Sequence, residues 1–322
     1  MTAMFHGVKF RATRDLARIV RFSLGLPVSD VEPVGEFVTG AAVMEMSRHA
    51  EALGFGAVYV TDHPAADQRW LDTGGHHALD PFVALSFAAA ATTTLRLQTH
   101  ILVLAYRNPL LAAKSVLSLD VLSEGRFTLG VAAGYLRSEF NALGVDYDER
   151  NELTDEAIDV IKRVMSEDSF AFEGRHFRSR GTTMRPKSAQ QPHPPIWVGG
   201  NSTSAIRRAV ETADGWCPFP NPAAAAAATR TPPLETIDDF ALRVEIARQH
   251  ADSIGRVVPF DICFAPISLT MFGIGNYDVA QLRDEIVQLE ALGVTWMPVE
   301  FHAPTRAEWC AKVERFALDV LP

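Results

Sequence analysis

The sequence predicts an α/β chain: a (β/α)8 TIM barrel with insertions at the C-terminal face of its strands. Three observations carry this. Eight short apolar runs recur along the 322 residues, each followed by a helix-like stretch. The helical stretches repeat their apolar residues at 3.6-type spacing, so each has one face to bury. Gly54, Gly125 and Gly293 stand where a helix gives way to the next run, the place where a helix C-cap takes a positive φ. Apolar strands alternating with amphipathic helices imply a parallel sheet covered by helices. Eight repeats ending on a helix favour closure, with an open doubly wound sheet as the alternative.

Residues 1–19 read as an N-terminal extension and 20–322 as a single barrel domain. The strand candidates are 20–26, 57–61, 95–104, 126–132, 196–199, 215–219, 260–269 and 294–300. Helical stripes include Val38, Ala42, Met46, Ala50 and Leu53 near the start, and Trp309, Val313, Phe316 and Val320 at the end. Three segments break the rhythm. Residues 63–80 read as a long polar loop. Residues 144–195 read as an insertion holding a helix and then a hairpin or irregular excursion. The alanine-rich "NPAAAAAATRTPP" reads as a mobile loop after the sixth strand. All three are expected near the C-terminal face, where barrel enzymes work.

Composition narrows the function. Net charge is −9 and no long Lys/Arg block occurs, which argues against nucleic acid or an anionic membrane surface as partner. Three scattered cysteines, Cys217, Cys263 and Cys310, form no CxxC motif and suit a reducing cytoplasm. The N-terminal stretch has no clean apolar signal region. The longest apolar run, "FVALSFAAAA" from Phe82, falls far short of the roughly 20 residues that span a bilayer. The expected protein is soluble and cytoplasmic, acting on a small molecule.

Four stretches could carry chemistry. In "PPIWVGGNSTSAIRRA", Gly199, Gly200, Asn201 and Ser202 follow a strand and open a helix. Bare backbone there lets N–H groups approach a phosphate at a positive helix end; a plain tight turn capped by Asn201 or Ser202 is the competing reading. "VYVTDHP" puts Asp62 and His63 at the end of the second strand. His63 can move a proton near neutral pH, or be merely solvated. His100 interrupts the apolar third strand and must be satisfied or face a ligand; Arg107 beyond it can meet an anion or a surface carboxylate. The fourth strand ends at Gly134 and Tyr135, and the following Arg137 and Glu139 read as an exposed helix start. The loop set His63, His76, His77, Asp67, Asp72 and Asp80 lacks metal-ligand spacing, so no metal is expected. No GxSxG elbow occurs.

These residues resemble a known family. "EALGFGAVYVTDH", "LVLAYRNPLLAAKSVLSLDVLSEGRFTLGVAAGYLRSEFNALG" and "PPIWVGGNSTSAIRRAVETADGW" are similar to the luciferase-like monooxygenase superfamily, and most to its branch of probable oxidoreductases using the deazaflavin coenzyme F420. The resemblance implies a homodimeric TIM barrel with a flavin or deazaflavin in its mouth. It also implies a non-proline cis peptide in a bulge on the third strand, at His100–Ile101, against which the ring packs. It places the cofactor phosphate at Gly199, Gly200, Asn201 and Ser202, with Asp62, Arg107, Gly134 and Tyr135 also at the cofactor. In the deazaflavin-dependent sugar-phosphate dehydrogenases an Asp-His pair matching Asp62 and His63 ends the second strand, and its His is proposed to be catalytic. Those enzymes place a catalytic Glu where this chain has Tyr135, which argues against sugar-phosphate oxidation.

The expected activity is hydride transfer between F420 and a small organic substrate, with His63 handling the proton. One rival is an FMN-dependent monooxygenase of the same fold, supplied by a separate reductase. Another is a non-catalytic barrel that carries or senses a cofactor or metabolite.

Overall fold

The computed structural model describes residues 20–32, 35–269 and 277–321; the extension expected at 1–19 lies outside them. In chain order the elements are β1 (Arg21–Gly25), α1 (Gly40–Ala52), β2 (Ala57–Val60), α2 (Gln68–Leu71), α3 (Pro81–Ala91), β3 (Arg96–Val103), α4 (Pro109–Leu122), β4 (Phe127–Ala132), α5 (Arg137–Ala142) and α6 (Arg150–Ser166). There follow β5 (Phe170–Glu173), β6 (Arg178–Thr182), β7 (Ile196–Gly199), α7 (Thr203–Thr212), β8 (Gly215–Cys217), α8 (Ala226–Thr229), α9 (Ile237–Ser253), β9 (Asp261–Ile262), α10 (Val279–Ala291), β10 (Trp296–Val299) and α11 (Arg306–Val320).

Eight strands form one parallel sheet in the order β10-β1-β2-β3-β4-β7-β8-β9. Its two edges meet. Cys263 bridges to Trp296, the Phe264 N–H donates to the Trp296 carbonyl at 3.0 Å, and the Thr295 N–H to the Ile262 carbonyl at 2.9 Å. The sheet is therefore a closed barrel, and the open doubly wound alternative is excluded. All eight expected strands are its staves. Two are shorter than expected: β8 stops before Pro218, which has no N–H for the ladder, and β9 is only Asp261–Ile262.

Burial separates two compartments. Between strands and helices lies the large core: α1 contributes Ala42, Met46 and Ala50, α11 contributes Trp309, Val313 and Phe316, and the strands contribute Leu97, Leu129, Val198 and Phe264. Inside the lumen is a smaller cluster of Ala57, Trp197, Cys217, Cys263 and Trp296, with Ile101 against it. The sequence starts its helices explicitly. Asp80 before Pro81 accepts from the Phe82 N–H at 2.9 Å, and Asn108 before Pro109 accepts from the Leu110 N–H at 3.0 Å. Each such cap stabilises by about 1 kcal/mol.

Three expectations need correction. Only the start of the 144–195 segment reaches the C-terminal face. The hairpin β5–β6 leaves the end of α6, and a barrel helix ends at the opposite, N-terminal face of the strands. The tail of that segment seals that face: Asp120 of α4 accepts from the Ser188 hydroxyl at 2.6 Å and the Ala189 N–H at 2.8 Å, and the Gln190 amide donates to the Phe127 carbonyl, at the first residue of β4, at 2.7 Å. The alanine run is no plain loop either: residues 223–225 form a 3-10 turn that continues into α8, as alanine's high helix propensity favours. The 63–80 loop contains α2, whose N-cap Asp67 accepts from the Trp70 N–H at 3.0 Å. Among the described residues, no helix is long and apolar enough to cross a membrane.

Candidate active site

The C-terminal mouth of the barrel opens into a cavity of about 510 Å³, within the range that holds a drug-sized ligand. One wall is a ledge made by β3. Thr99 pairs with Leu129 and Leu102 with Val131, so β3 carries one residue more than β4 over that interval. The excess is a bulge at His100–Ile101, and the peptide between them is cis, at the position the resemblance implies. Two glycines make room for it. A Cβ on Gly130 would lie 2.1 Å from the Thr99 carbonyl oxygen, and one on Gly199 would lie 2.1 Å from Cδ1 of Ile101. The His100 ring sits 4.9 Å from the Tyr59 ring. Burial pushes its pKa down to about 4, so it is neutral at ordinary pH.

Across from the ledge stands His63. Its Nδ1 lies 3.2 Å from Oε2 of Glu139, whose side chain is fully buried. Glu139 also accepts from the Tyr106 hydroxyl at 2.9 Å and from the Ala65 N–H at 3.1 Å. Burial alone would raise this carboxyl; the bonds from His63, Ala65 and Tyr106 outweigh it and hold the pKa below the usual carboxylate range. An ionised Glu139 fixes the His63 proton on Nδ1 and leaves Nε2 as a free base. Trp70 and His76 flank the ring at 4.5 and 4.9 Å, and Tyr135 lies 6.0 Å away. Burial raises the Tyr135 hydroxyl to about 12, helped by the Glu139 charge, and lowers His76.

The third wall is the N-terminus of α7. Ser202 caps it, accepting from the Ala205 N–H at 3.2 Å. The backbone N–H groups of Thr203 and Ser204 have no acceptor among the described residues, as the first turn of a helix leaves them. Arg150, Arg208 and Arg230 line the cavity at this end. Arg208 is already bound to Asp155 and Asn151. Arg150 and Arg230 stack on Tyr147 at 3.9 and 5.1 Å. The end is therefore cationic and rich in donors.

The structure brings most of the expected residues to this cavity. Asp62, His63, His100, Ile101, Gly134, Tyr135, Gly199, Gly200 and Ser202 all line it. Arg107 and Asn201 do not. Arg107 spans Asp62 at 2.8 Å and Asp80 at 3.3 Å. Asn201 is a latch: its amide donates to the Phe219 carbonyl at 2.9 Å, its Oδ1 accepts from the Phe219 N–H at 3.0 Å, and its own N–H is taken by Thr231 at 3.1 Å. The Gly200 N–H is likewise taken, by the Cys217 carbonyl at 3.1 Å. The open donors thus begin at Ser202 rather than at the glycines. Asp62 has both oxygens committed, to Arg107 and to the Val103 N–H at 3.0 Å. It acts as a brace between β2 and β3, and burial raises its pKa despite those bonds.

Sequence reasoning missed Glu139, Arg150 and Arg230. Glu139 was expected to start an exposed helix; it is instead fully buried beneath His63, because α5 turns its first-turn acid inward beside Phe140. Its signal was an acid next to an apolar residue in the first turn of the helix that follows the strand-end Gly134. Arg150 opens the helix expected in the 144–195 insertion and Arg230 lies in the alanine-rich segment, and nothing local says that they converge.

A parallel barrel with a bulged third strand, a carboxylate-held histidine and a cationic helix end at its mouth defines the class. The chain belongs to the luciferase-like monooxygenase family, whose model matches residues 26–232. An uncharacterized protein of Mycobacterium tuberculosis is 29% identical over 273 residues, covering 80% of this chain and 84% of that one. The FMNH2-dependent dimethylsulfone monooxygenase of Pseudomonas putida is 36% identical over 110 residues, 33% of this chain and 30% of that one. Among solved structures, the coenzyme F420 dependent tetrahydromethanopterin reductase of Methanopyrus kandleri superposes with a TM-score of 0.70 at 16% identity, over 94% of this chain and 99% of that one. That last likeness is one of fold.

Proposed function

We propose that this chain is an oxidoreductase moving a hydride between coenzyme F420 and a small organic molecule. The observation that carries the reading is the His63–Glu139 pair, a base oriented by a buried carboxylate across the cavity from the His100–Ile101 ledge. The cavity fits the cofactor class: it is large enough, Gly199 lets the Ile101 side chain of the ledge seat against its backbone, and unpaired amides with Arg150 and Arg230 wait for an anion at the far end. Bound F420 supplies two-electron hydride chemistry. Ile101 and Gly199 give its ring a flat seat, with Gly134 and Tyr135 closing the side. Ser202, the N–H groups of Thr203 and Ser204, and Arg230 hold its phosphate. His63 is the catalytic residue, taking or giving the substrate proton at Nε2. Glu139 is the positioning residue that selects its tautomer. The reading takes the working unit as a cytoplasmic homodimer, which light scattering of the purified protein checks.

The relative from Pseudomonas putida favours a second reading, in which reduced FMN delivered by a partner reductase supports oxygenation. Titration of the cofactor-free protein with F420 and FMN separates the two. The first reading expects F420 to bind more tightly, and bound reduced F420 to be oxidised by substrate without oxygen uptake. Tighter FMN binding with oxygen consumption would replace it by the second. Binding without turnover across a broad substrate panel would leave a carrier rather than an enzyme.

A further inference from the structure

His100, Cys217 and Cys263 are far apart in the chain and meet inside the barrel. Cys217 and Cys263 each stand one residue beyond the last registered pair of β8 and β9, Trp216 with Ile262, so they are cross-strand neighbours. Both side chains belong to the lumen cluster and are buried. β3 lies on the far side of the closed sheet from β9, and its bulge turns the His100 ring inward to meet them. The imidazole nitrogen and the two sulfurs all lie within 4.8 Å of one another. Among the described residues this is the one group of three or more such side chains with that spacing.

We propose that His100, Cys217 and Cys263 bind a thiophilic divalent cation of the zinc class at the floor of the cavity. Zinc with bonds of about 2.3 Å to sulfur and 2.0 Å to nitrogen needs ligand atoms roughly 3.5–3.8 Å apart. The three donors reach that spacing by small side-chain rotations. None is engaged elsewhere in a way that opposes this: the His100 ring makes a ring contact with Tyr59 and no hydrogen bond among the described residues, and neither cysteine is in a disulfide. Two sulfurs and one nitrogen select a borderline-soft ion over magnesium or calcium. Cys217 and His100 line the cavity whereas Cys263 does not, so the group stands at the boundary between the cavity and the packed lumen. The thiols lose their protons as the ion binds. The site does not depend on which cofactor the mouth accepts. An ion in it fixes His100 and Cys217 beneath the ledge.

Cobalt(II) is the probe. The reduced, cofactor-free protein is titrated with Co2+ and then with Zn2+. The expected result is one Co2+ per chain, with thiolate charge-transfer bands and the strong visible bands of tetrahedral geometry, all bleached by Zn2+. The bands are lost when Cys217→Ser and Cys263→Ser are combined and kept in Cys310→Ser. X-ray absorption of the wild-type zinc form, which needs no variant to fold, is expected to show two sulfurs and at least one imidazole on the ion. No thiolate band in the wild type, bands that survive the combined Cys217→Ser and Cys263→Ser change, or a first coordination sphere without sulfur would each overturn the proposal.

Discussion

Replacing Glu139 by Gln keeps the volume of a fully buried side chain and removes its charge. The magnitude follows from its three donors. His63 Nδ1 and the Tyr106 hydroxyl both point at Oε2, and the Ala65 N–H at Oε1. If the new amide keeps its oxygen on Ala65, its NH2 faces two former donors. His63 must then carry its proton on Nε2, and Tyr106 must rotate to accept. If the amide turns over, the Ala65 N–H faces an NH2 and loses its acceptor. Either arrangement forfeits charge-assisted bonds at a buried site, a loss of about 1–3 kcal/mol in stability. The first also presents a donor where the reaction needs a base, and a wrong tautomer of that kind costs roughly 10²–10⁴-fold in rate. The assays are thermal unfolding, single-turnover rate with the cofactor that binds, and nitrogen NMR of the His63 ring to read the tautomer. A rate within about threefold of wild type, with the proton still on Nδ1, would refute the reasoning.

The same carboxyl sets a pH dependence. Because its folded pKa is depressed below 4.5, its contribution is full above that value and is lost as pH falls through the folded pKa. The stability gap between wild type and Glu139→Gln should therefore be flat near neutrality and narrow below about pH 4.5; a gap that widens in acid contradicts this. Two glycine substitutions should rank by what they strike. Gly130→Ala meets a backbone oxygen that cannot yield and should fail to fold or lose more than about 3 kcal/mol, whereas Gly199→Ala meets the movable tip of Ile101 and should cost about 1–3 kcal/mol while narrowing the ring seat. Equal melting temperatures for the two would count against the bulge geometry. Arg230→Ala should weaken cofactor binding about tenfold with little change in the chemical step; unchanged affinity, measured by titration, would remove Arg230 from the phosphate site. Asp120 accepts from four donors, the Ser188 hydroxyl, the Ala189 and Gln190 N–H groups and the Gln190 amide; Asp120→Asn turns one of the two acceptor oxygens into an NH2 and should lower stability by about 1–3 kcal/mol, with no effect on cofactor affinity in the folded protein.

Much of the barrel was legible because its signals are local. Each stave is a short apolar run, and each helix shows its buried stripe in its own residues. The C-cap glycines were equally local: Gly54, Gly125 and Gly293 all have positive φ. The site was legible where a polar residue stands out locally, as His63 does at the end of the second strand and His100 does within the apolar third one. Glu139 was not, because an acid in the first turn of a helix looks the same whether it faces water or a histidine; only the docking of α5 onto the β2 loop decides. Arg150 opens α6, Arg230 follows α8, and the two meet over Tyr147, while His100, Cys217 and Cys263 meet across the lumen. No spacing rule connects such residues, since closure of the sheet is what makes them neighbours. The hairpin β5–β6 was placed at the wrong end of the barrel for a related reason: its composition resembles that of an active-site loop, and only the helix before it says which end it occupies.

The most direct test is a crystal structure of the chain with whichever of F420 or FMN binds more tightly. The account predicts the ring lying on the His100–Ile101 peptide within van der Waals contact, His63 Nε2 facing the space beside the ring, and the phosphate on the amides of Thr203 and Ser204. A ring seated away from Ile101, or a phosphate held outside the start of α7, contradicts it.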